Sequence, residues 1–134
     1  MIKHYVPVFE RCKAAFVDVL VLIFLMILIN YFLSKFDNVT DELRKIVFFL
    51  IIFYEPFFVS RFGGTIGHFA LGIRVKSEKD ENMNLSFIFS LVRFFTKIVL
   101  GVFSLFWVNN NEKKKAVHDF IAKSVVIDFA KSLR

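Results

Sequence analysis

The stretch AAFVDVLVLIFLMILINYFL, at residues 14–33, decides the fold of this chain. Its twenty residues carry a single charge, Asp18. A helix that rises about 1.5 Å per residue would cross a hydrocarbon core of roughly 30 Å over this length. A carboxylate inside such a helix is costly unless a partner, a water-filled cavity or a proton compensates it. The stretch therefore predicts a membrane protein and makes Asp18 the first candidate functional residue.

The composition supports one integral membrane domain over residues 1–134. Of these residues 57% are hydrophobic and twenty are Phe, with a mean hydropathy of +0.61, which leaves too little polar surface for a soluble domain of this length. The first stretch is too long for a cleaved signal peptide, carries an acid and lacks a small-residue cleavage site, so we expect a retained anchor. Cys12 is the only cysteine, which excludes an internal disulfide and a cysteine-based metal cluster.

Two further apolar stretches follow. Residues 46–62 are predicted as a second span, with Thr40 or Asp41 capping its helix and Pro56 bending or ending it. Residues 86–108 are predicted as a third apolar helix with one polar face, because polar or small residues recur at spacings of three and four. They are Ser86, Ser90, Arg93, Lys97, Gly101 and Ser104. This helix either spans the membrane with that face toward a protein interior, or lies in the interface or re-enters it.

The distribution of charge favours the interfacial or re-entrant placement. With two spans, the N-terminus, the glycine-rich segment 63–84, the third helix and the basic tail 109–134 share one side. That side then holds fifteen of the eighteen Lys and Arg residues. Cationic segments are preferentially cytoplasmic, so we expect a multi-pass protein of the cell membrane (inner or plasma membrane) with a cytoplasmic N-terminus. The lysines at 113–115 are then a solvated topology signal.

The predicted fold class is an all-α integral membrane protein with a small cytoplasmic β-ribbon. Its helices are the two transmembrane helices, at 14–33 and 46–62, and the third apolar helix, which is amphipathic, re-entrant or spanning. Ile73–Ser77 alternates apolar and polar residues, and residues 124–129 are rich in β-branched residues, so both suit short strands. We expect them to pair as an antiparallel ribbon on one side of the membrane.

Two acids are predicted to lie level, near the cytoplasmic edge of the bilayer. Asp18 lies four residues inside the first stretch, and Glu55 lies four residues from the cytoplasmic end of IVFFLIIFYEPFFV. Arg11 falls on the same side of the first helix as Asp18, seven residues earlier, and is its expected ion partner. Arg93 and Lys97 of the third helix are expected to edge the two acids.

At this point the residues match a known pattern. Arg11 and Asp18 in RCKAAFVD, and Asp119 in AVHDFIAKSVVI, resemble the arginine and two aspartates that name the RDD family of membrane proteins. The stretch YEPFFVSRFGGTIGHFALGIRV is similar to that family's acidic residue, Gly-x-Thr-x-Gly turn and Gly-x-x-Val strand, and Arg93 fits a further arginine. The resemblance covers nearly the whole chain. It implies a membrane location and a link to transport, and it does not imply an enzyme.

One residue departs from the family pattern. His68 stands where the family commonly has lysine, so a fixed positive charge there becomes a titratable one. Asp119 is expected either to bond Arg11 or to cap a helix that begins at residue 119. Neighbouring His118 is expected to be exposed beside the lysine cluster.

The candidate residues form two groups. The ion-binding or clasp candidates are Arg11, Asp18, Glu55, Arg93 and Asp119, and the supporting candidates are Gly64, Thr65, Gly67, His68, Lys97 and His118. No catalytic residue, metal site or cofactor is predicted, because HExxH, a Walker glycine loop and a nucleophile elbow are absent from the sequence. The expected partners are the bilayer, with anionic lipids at its cytoplasmic face, and a second copy or another membrane protein. Nucleic acid is not expected.

Two hypotheses remain open on the sequence. In the first, the protein is transport-linked, and Asp18 and Glu55 bind a proton or a small cation. Two or three helices cannot enclose a wet path, so this version needs an oligomer. In the second, the protein is a non-transporting scaffold or interaction module, and Arg11, Asp18 and Asp119 form an internal clasp that ties the tail to the first helix.

Overall fold

The computed structural model describes residues 4–101 and 103–132. Helix α1 runs over Val8–Leu33, 26 residues, and so begins six residues before the predicted span. Among the described residues it is the one helix that is long and apolar enough to cross a membrane by itself. Large apolar side chains along it are half-exposed or more, Phe16, Ile23 and Ile27 among them, so it presents an unburied surface suited to lipid or to another helix.

The predicted second span is two helices, in agreement with the prediction that Pro56 bends or ends the helix. Helix α2 covers Asp41–Ile52 and helix α3 covers Tyr54–Phe62, with the break at Phe53. Pro56 explains the break, because its ring would clash with the carbonyl of Ile52, four residues earlier, in an unbroken helix. Thr40 caps α2 as predicted, since its Oγ1 accepts a hydrogen bond from the backbone N–H of Leu43 at 3.3 Å.

The glycine-rich segment contains a short helix and a strand. Helix α4 covers Ile66–Ala70, and strand β1 covers Ile73–Ser77. Strand β1 pairs antiparallel with β2, Ser124–Asp128, in a register that sets Val75 opposite Val126. The predicted ribbon is therefore confirmed, with β2 ending one residue earlier than expected.

The ribbon also holds the N-terminal segment against the tail. The backbone N–H of Val6 donates to the carbonyl of Val126 at 3.2 Å, and Tyr5 bridges to Ile127. Val6, Ile73, Val75 and Val126 are all almost fully buried and belong to one apolar core. Residues before α1 and residues of the tail therefore lie on the same side of any membrane that α1 crosses.

The predicted third helix is bent, which excludes only the alternative of one straight spanning helix over 86–108 and fits a re-entrant segment or a broken span. Helix α5 covers Phe87–Leu100, helix α6 covers Phe103–Phe106, and a 3₁₀ turn covers Val108–Asn110. The two arms meet at 101°. Gly101 has a φ of +51°, a backbone conformation that glycine adopts at low cost. The polar face of α5 points toward the protein interior, since Ser90 and Arg93 are buried.

The tail folds back on the helices. It contains helix α7, Val117–Ile121, strand β2 and helix α8, Phe129–Ser132. The prediction that the lysines at 113–115 are solvated is wrong for Lys115. Its side chain is 3% exposed, and its Nζ lies 2.7 Å from Glu78 Oε2. In the packed arrangement α1 lies against α4, while α5 lies between α3 and α7.

Candidate functional site

Asp18 connects α1 to the start of α4. Its Oδ1 accepts hydrogen bonds from the Tyr54 hydroxyl at 3.0 Å and the Gly67 backbone N–H at 2.8 Å, and its Oδ2 accepts one from Thr65 Oγ1 at 2.5 Å. The predicted pairing of Arg11 with Asp18 is wrong, because Arg11 binds Asp119 instead. Asp18 is instead satisfied by neutral donors, which is a common way to keep a buried carboxylate.

Gly67 allows this contact by its size. A Cβ atom at this position would lie 2.1 Å from the carbonyl oxygen of Ala14 and 2.9 Å from Asp18 Oδ1. Only a glycine lets the backbone of α4 approach α1 so closely. At Gly64, by contrast, a Cβ atom would lie 3.0 Å from the Cβ of His68, a tight contact inside the turn.

Thr65 and His68 extend the hydrogen bonding away from Asp18. Thr65 caps α4, with its Oγ1 accepting from the His68 backbone N–H at 3.3 Å. His68 Nδ1 accepts from the Thr65 backbone N–H at 3.2 Å and also contacts Thr65 Oγ1. Since Nδ1 is an acceptor, the geometry assigns the ring proton of neutral His68 to Nε2.

The charge of His68 is set by its surroundings. Burial is the main cause that lowers the pKa of His68 to about 3; the neighbouring cations, Arg93 first, contribute to this shift, and Glu55 opposes it. His68, which stands where the family pattern commonly has lysine, is therefore neutral near pH 7.

Asp119 joins the two ends of the chain. It is fully buried, and its carboxylate binds Arg11 Nη1 at 2.5 Å and Arg93 Nε at 3.1 Å. It also accepts from Ser124 Oγ and from the backbone N–H of Ala116, both at 3.2 Å. Burial alone would raise the pKa of Asp119, but the two guanidinium groups outweigh it and hold the pKa far below its usual range. Both predicted roles occur together, although α7 begins two residues before Asp119.

Glu55 continues the chain of charges. It lies 2.8 Å from Lys97 Nζ and 3.1 Å from Arg93 Nη1, with its side chain 16% exposed. Arg93 therefore bridges Glu55 on α3 and Asp119 on α7. We call the alternating set the charged cluster: Arg11, Asp119, Arg93, Glu55 and Lys97. Asp18 stands apart from this cluster, so the predicted two-acid site of Asp18 and Glu55 has separate partners for each acid.

A cavity of about 250 Å³ lies between α1 and the α5–α6 bend. Its wall combines charged, imidazole and apolar side chains from six elements and the bend. The lining residues are Arg11, Ala15, Asp18, His68, Arg93, Lys97, Gly101, Leu105, His118 and Val126. The cavity thus brings together most of the residues that the sequence singled out.

His118 is buried rather than exposed, at 3%. Its Nδ1 lies 2.6 Å from Ser104 Oγ, which accepts from the His118 backbone N–H at 3.1 Å. Because Nε2 lies 3.6 Å from the carboxylate oxygen Oδ1 of Asp119, the geometry favours the ring proton on Nε2, and the Ser104 hydroxyl then donates to Nδ1. Burial lowers the pKa of His118 to about 4, with Asp119 opposing and Arg93 adding to the shift.

The site geometry follows the motif order found in the sequence, and a family comparison decides the identity. The model of the RDD family matches residues 5–123. The chain belongs to the RDD family. As an RDD protein it is a membrane protein, with α1 as its candidate spanning helix. No curated protein and no solved structure gives a match to the chain.

Two residues of this RDD protein's site were missed from the sequence. Tyr54 donates to Asp18 and accepts from the Ile66 backbone N–H at 2.7 Å. Ser104 holds the His118 ring. Ser104 belonged to the polar face of the third helix, so a signal existed for it. Tyr54 directly precedes Glu55, but nothing in its sequence position indicates a contact with α1.

Proposed function

We propose that this RDD protein is a transport-linked component of the cell membrane with a proton-binding site at its cytoplasmic edge. The observation that carries the proposal is the row of close polar contacts from Asp18 Oδ2 through Thr65 Oγ1 to His68 Nδ1, in which the Thr65 hydroxyl proton can turn to either neighbour. Asp18 and His68 both line the cavity. A carboxyl, a hydroxyl and an imidazole in contact are groups that pass protons in membrane pathways.

A proton fits this site better than a metal cation. Each carboxylate oxygen of Asp18 already accepts a hydrogen bond, and Glu55 is paired with Arg93 and Lys97. A metal cation would need several oxygen ligands at once. Within residues 4–101 and 103–132, no three His, Cys, Asp or Glu side chains are grouped to hold a metal. The proposal therefore narrows the predicted proton-or-cation site to a proton, and it assigns no catalytic role and no cofactor.

The proposal includes the orientation and partners expected from the charge distribution. The N-terminus and the ribbon would lie in the cytoplasm, the chain would cross the bilayer more than once, and its cations would meet anionic lipids. The exposed apolar face of α1 leaves room for a second copy or another membrane protein. Such a neighbour is needed, because one or two spans cannot enclose a path.

The test is proton movement in sealed liposomes that contain the purified protein. An internal pH dye reports the pH change after a valinomycin–potassium potential is imposed, in a buffer that holds sodium, chloride and phosphate. We expect wild type and Glu10→Gln to move protons and Asp18→Asn to lose most of the rate. Glu10 is the matched control, since it is also an acid of α1 but pairs only with Lys13 at the surface. Equal rates in wild type and Asp18→Asn would refute the proposal.

A second candidate function is a non-transporting interaction module, and one observation favours it. Asp119 holds both Arg11 and Arg93, so the charged cluster is itself a clasp that ties the tail to α1 and α5. In this version the cytoplasmic face recruits another membrane protein. It predicts that Asp18→Asn lowers the folded yield or partner co-purification while no variant changes an ion gradient. A loss of proton flux in well-folded Asp18→Asn would contradict it.

A further inference from the structure

The cavity wall is rich in hydrogen-bond donors that have no acceptor. Arg93 uses its Nε and Nη1 atoms for hydrogen bonds to Asp119 and Glu55. His68 and His118 use their Nδ1 atoms for hydrogen bonds with Thr65 and Ser104. Within the described part of the chain, the Nη2 of Arg93 and the Nε2 of His68 donate to no protein acceptor, whereas the Nε2 of His118 lies 3.6 Å from Asp119 Oδ1. The three residues are 4%, 6% and 3% exposed. Donors in a cavity wall that have no protein acceptor are available to water or to a ligand that carries acceptor oxygens.

The acceptors on the same wall are already occupied. Asp18 is the one carboxylate among the lining residues, and its two oxygens accept from Tyr54, Thr65 and Gly67. Lys97 gives two contacts to Glu55 and, as an ammonium with three hydrogens, retains a third donor. Ala15, Leu105 and Val126 supply an apolar side to the cavity.

We propose that this cavity binds a small oxyanion, a carboxylate or phosphate group with a short apolar substituent. The inference deepens the proposed function and rests on it, because it names the class of ion that accompanies the proton. The oxyanion accepts hydrogen bonds from Arg93, His68 and Lys97, and its substituent lies against Leu105 and Ala15. The cavity volume of about 250 Å³ is below the roughly 300–1,000 Å³ of sites for drug-sized ligands, so the ligand is small.

Charge balance links the anion to the proton. The ionised groups around the cavity are three cations and three carboxylates: Arg11, Arg93, Lys97, Asp18, Glu55 and Asp119. An incoming anion therefore adds one uncompensated charge, which is expensive at low dielectric. A proton on His68 removes that charge. Anion binding is accordingly tighter at lower pH.

The groups that face the proton-binding residues come from five elements. They are Arg11 on α1, Tyr54 and Glu55 on α3, Thr65 on α4, Arg93 and Lys97 on α5, and His118 on α7. The cations among them disfavour a charged His68, and a bound anion offsets them. The same anion therefore makes protonation of His68 easier, which is the required reciprocity of linked binding.

The test is isothermal titration of the full-length protein in detergent with butyrate and with inorganic phosphate, at about pH 6 and about pH 8, the range in which histidine titrates. Leu105→Trp and Ala15→Phe fill the cavity from opposite walls without altering an ion pair. Val99→Trp is the matched control, since Val99 is 81% exposed on the outer face of α5. We expect wild type and Val99→Trp to bind at least one anion, more tightly at the lower pH. The filled variant that remains folded should bind about tenfold more weakly or not at all.

A competition arm separates a soluble anion from a lipid headgroup. If the phosphate belongs to a lipid, nanodiscs with phosphatidylglycerol suppress butyrate binding, whereas phosphatidylcholine nanodiscs do not. If the anion is soluble, nanodiscs of either lipid leave butyrate binding unchanged. Either result supports an oxyanion site.

Three results would overturn the inference: no heat with either anion, equal binding in wild type and a folded filled variant, or equal affinity at both pH values. These readouts are independent of flux. If the anion binds but no Asp18-dependent proton flux is found, the cavity remains a ligand site and the transport proposal is refuted. If proton flux is found but no anion binds, the transport proposal stands and the oxyanion site is refuted.

Discussion

Arg11 and Asp119, 108 residues apart in the chain, form a buried salt bridge with 2.5 Å between Nη1 and Oδ2. The first residue lies in the second turn of α1, and the second lies in α7. Asp119 also binds Arg93 of α5, so one carboxylate connects the three helices α1, α5 and α7. The ribbon closes beside it, where Val6 bonds Val126. The N-terminal segment and the tail are therefore one structural unit at a single side of the bilayer.

Removing the charge of Asp119 should strongly destabilise the protein. Asp119→Asn leaves the guanidinium groups of Arg11 and Arg93 without their shared carboxylate, and breaking a buried ion pair in this way costs about 3–5 kcal/mol. Thermal unfolding in detergent measures the loss. Glu42→Gln, which breaks the exposed pair with Lys45, is the control and should change stability by less than about 1 kcal/mol. Similar midpoints for the two variants would contradict the clasp.

A methyl group at Gly67 should separate α4 from α1. The Cβ of Gly67→Ala would lie 2.1 Å from the Ala14 carbonyl oxygen, so the helices must move apart and Asp18 loses its backbone donor. We expect a loss of several kcal/mol in a detergent unfolding assay. Ile66→Ala on the same helix, where the side chain is 39% exposed, should have a much smaller effect. If Gly67→Ala unfolds like wild type, the close contact is not present.

Mild acid should destabilise the fold through its two buried histidines. The folded pKa values of His68 and His118 are lowered to about 3 and about 4, and the unfolded value is about 6.5. Between those values the unfolded chain binds more protons, so stability is greatest above about pH 6.5 and falls as pH decreases. From about pH 7 to about pH 5 each histidine should cost about 2 kcal/mol. Asp119, with its lowered pKa, keeps its contribution over this range, because that contribution is lost only below its unfolded pKa of about 3.9.

The unfolding midpoint as a function of pH checks this prediction. His118→Gln should flatten the decline relative to wild type. His4→Gln, at an exposed histidine near the N-terminus, is the matched control. A midpoint in wild type that does not change between about pH 7 and about pH 5 would show that the histidines are not buried in neutral form.

The single cysteine offers a direct test of orientation. Cys12 is exposed, so an impermeant maleimide should label it from the cytoplasmic side of sealed vesicles. In a Cys12→Ser background, Lys79→Cys after β1 should label from that side, and Asn38→Cys between α1 and α2 from the other. Labelling of all three positions from one side would show that α1 does not cross the membrane.

Hydropathy and the alternation of apolar and polar residues predicted the helices and strands better than they predicted which side chains contact each other. The apolar run gave α1, and the alternating and β-branched segments gave the ribbon of β1 and β2. The pairing of Arg11 with Asp18 was predicted because a seven-residue spacing places two Cβ atoms on one face of a helix. The prediction is wrong because side chains on one face can still reach different neighbouring helices. Arg11 reaches α7, while Asp18 faces α4. Such contacts depend on which helices become adjacent, and helical spacing does not specify that.

The breaks in the helices carried a signal that hydropathy does not weigh. Pro56 predicts a break in the second apolar stretch, whereas Gly101 counted only as a small residue of the polar face, and backbone sterics at these residues decide where α3 begins and where α5 ends. Distance along the two apolar stretches predicted that Asp18 and Glu55 lie level, near the cytoplasmic edge of the bilayer. It could not show that Tyr54, Thr65 and Gly67 satisfy one of them and that cations satisfy the other.

The most direct measurement of the central claim, a proton path through the Thr65 hydroxyl, is liposome proton flux in Thr65→Ser and Thr65→Val. Serine retains the hydroxyl between Asp18 and His68 and should keep most of the wild-type rate. Valine has nearly the same volume without the hydroxyl and should abolish the flux in protein that remains folded by gel filtration. Full flux in folded Thr65→Val would contradict the account.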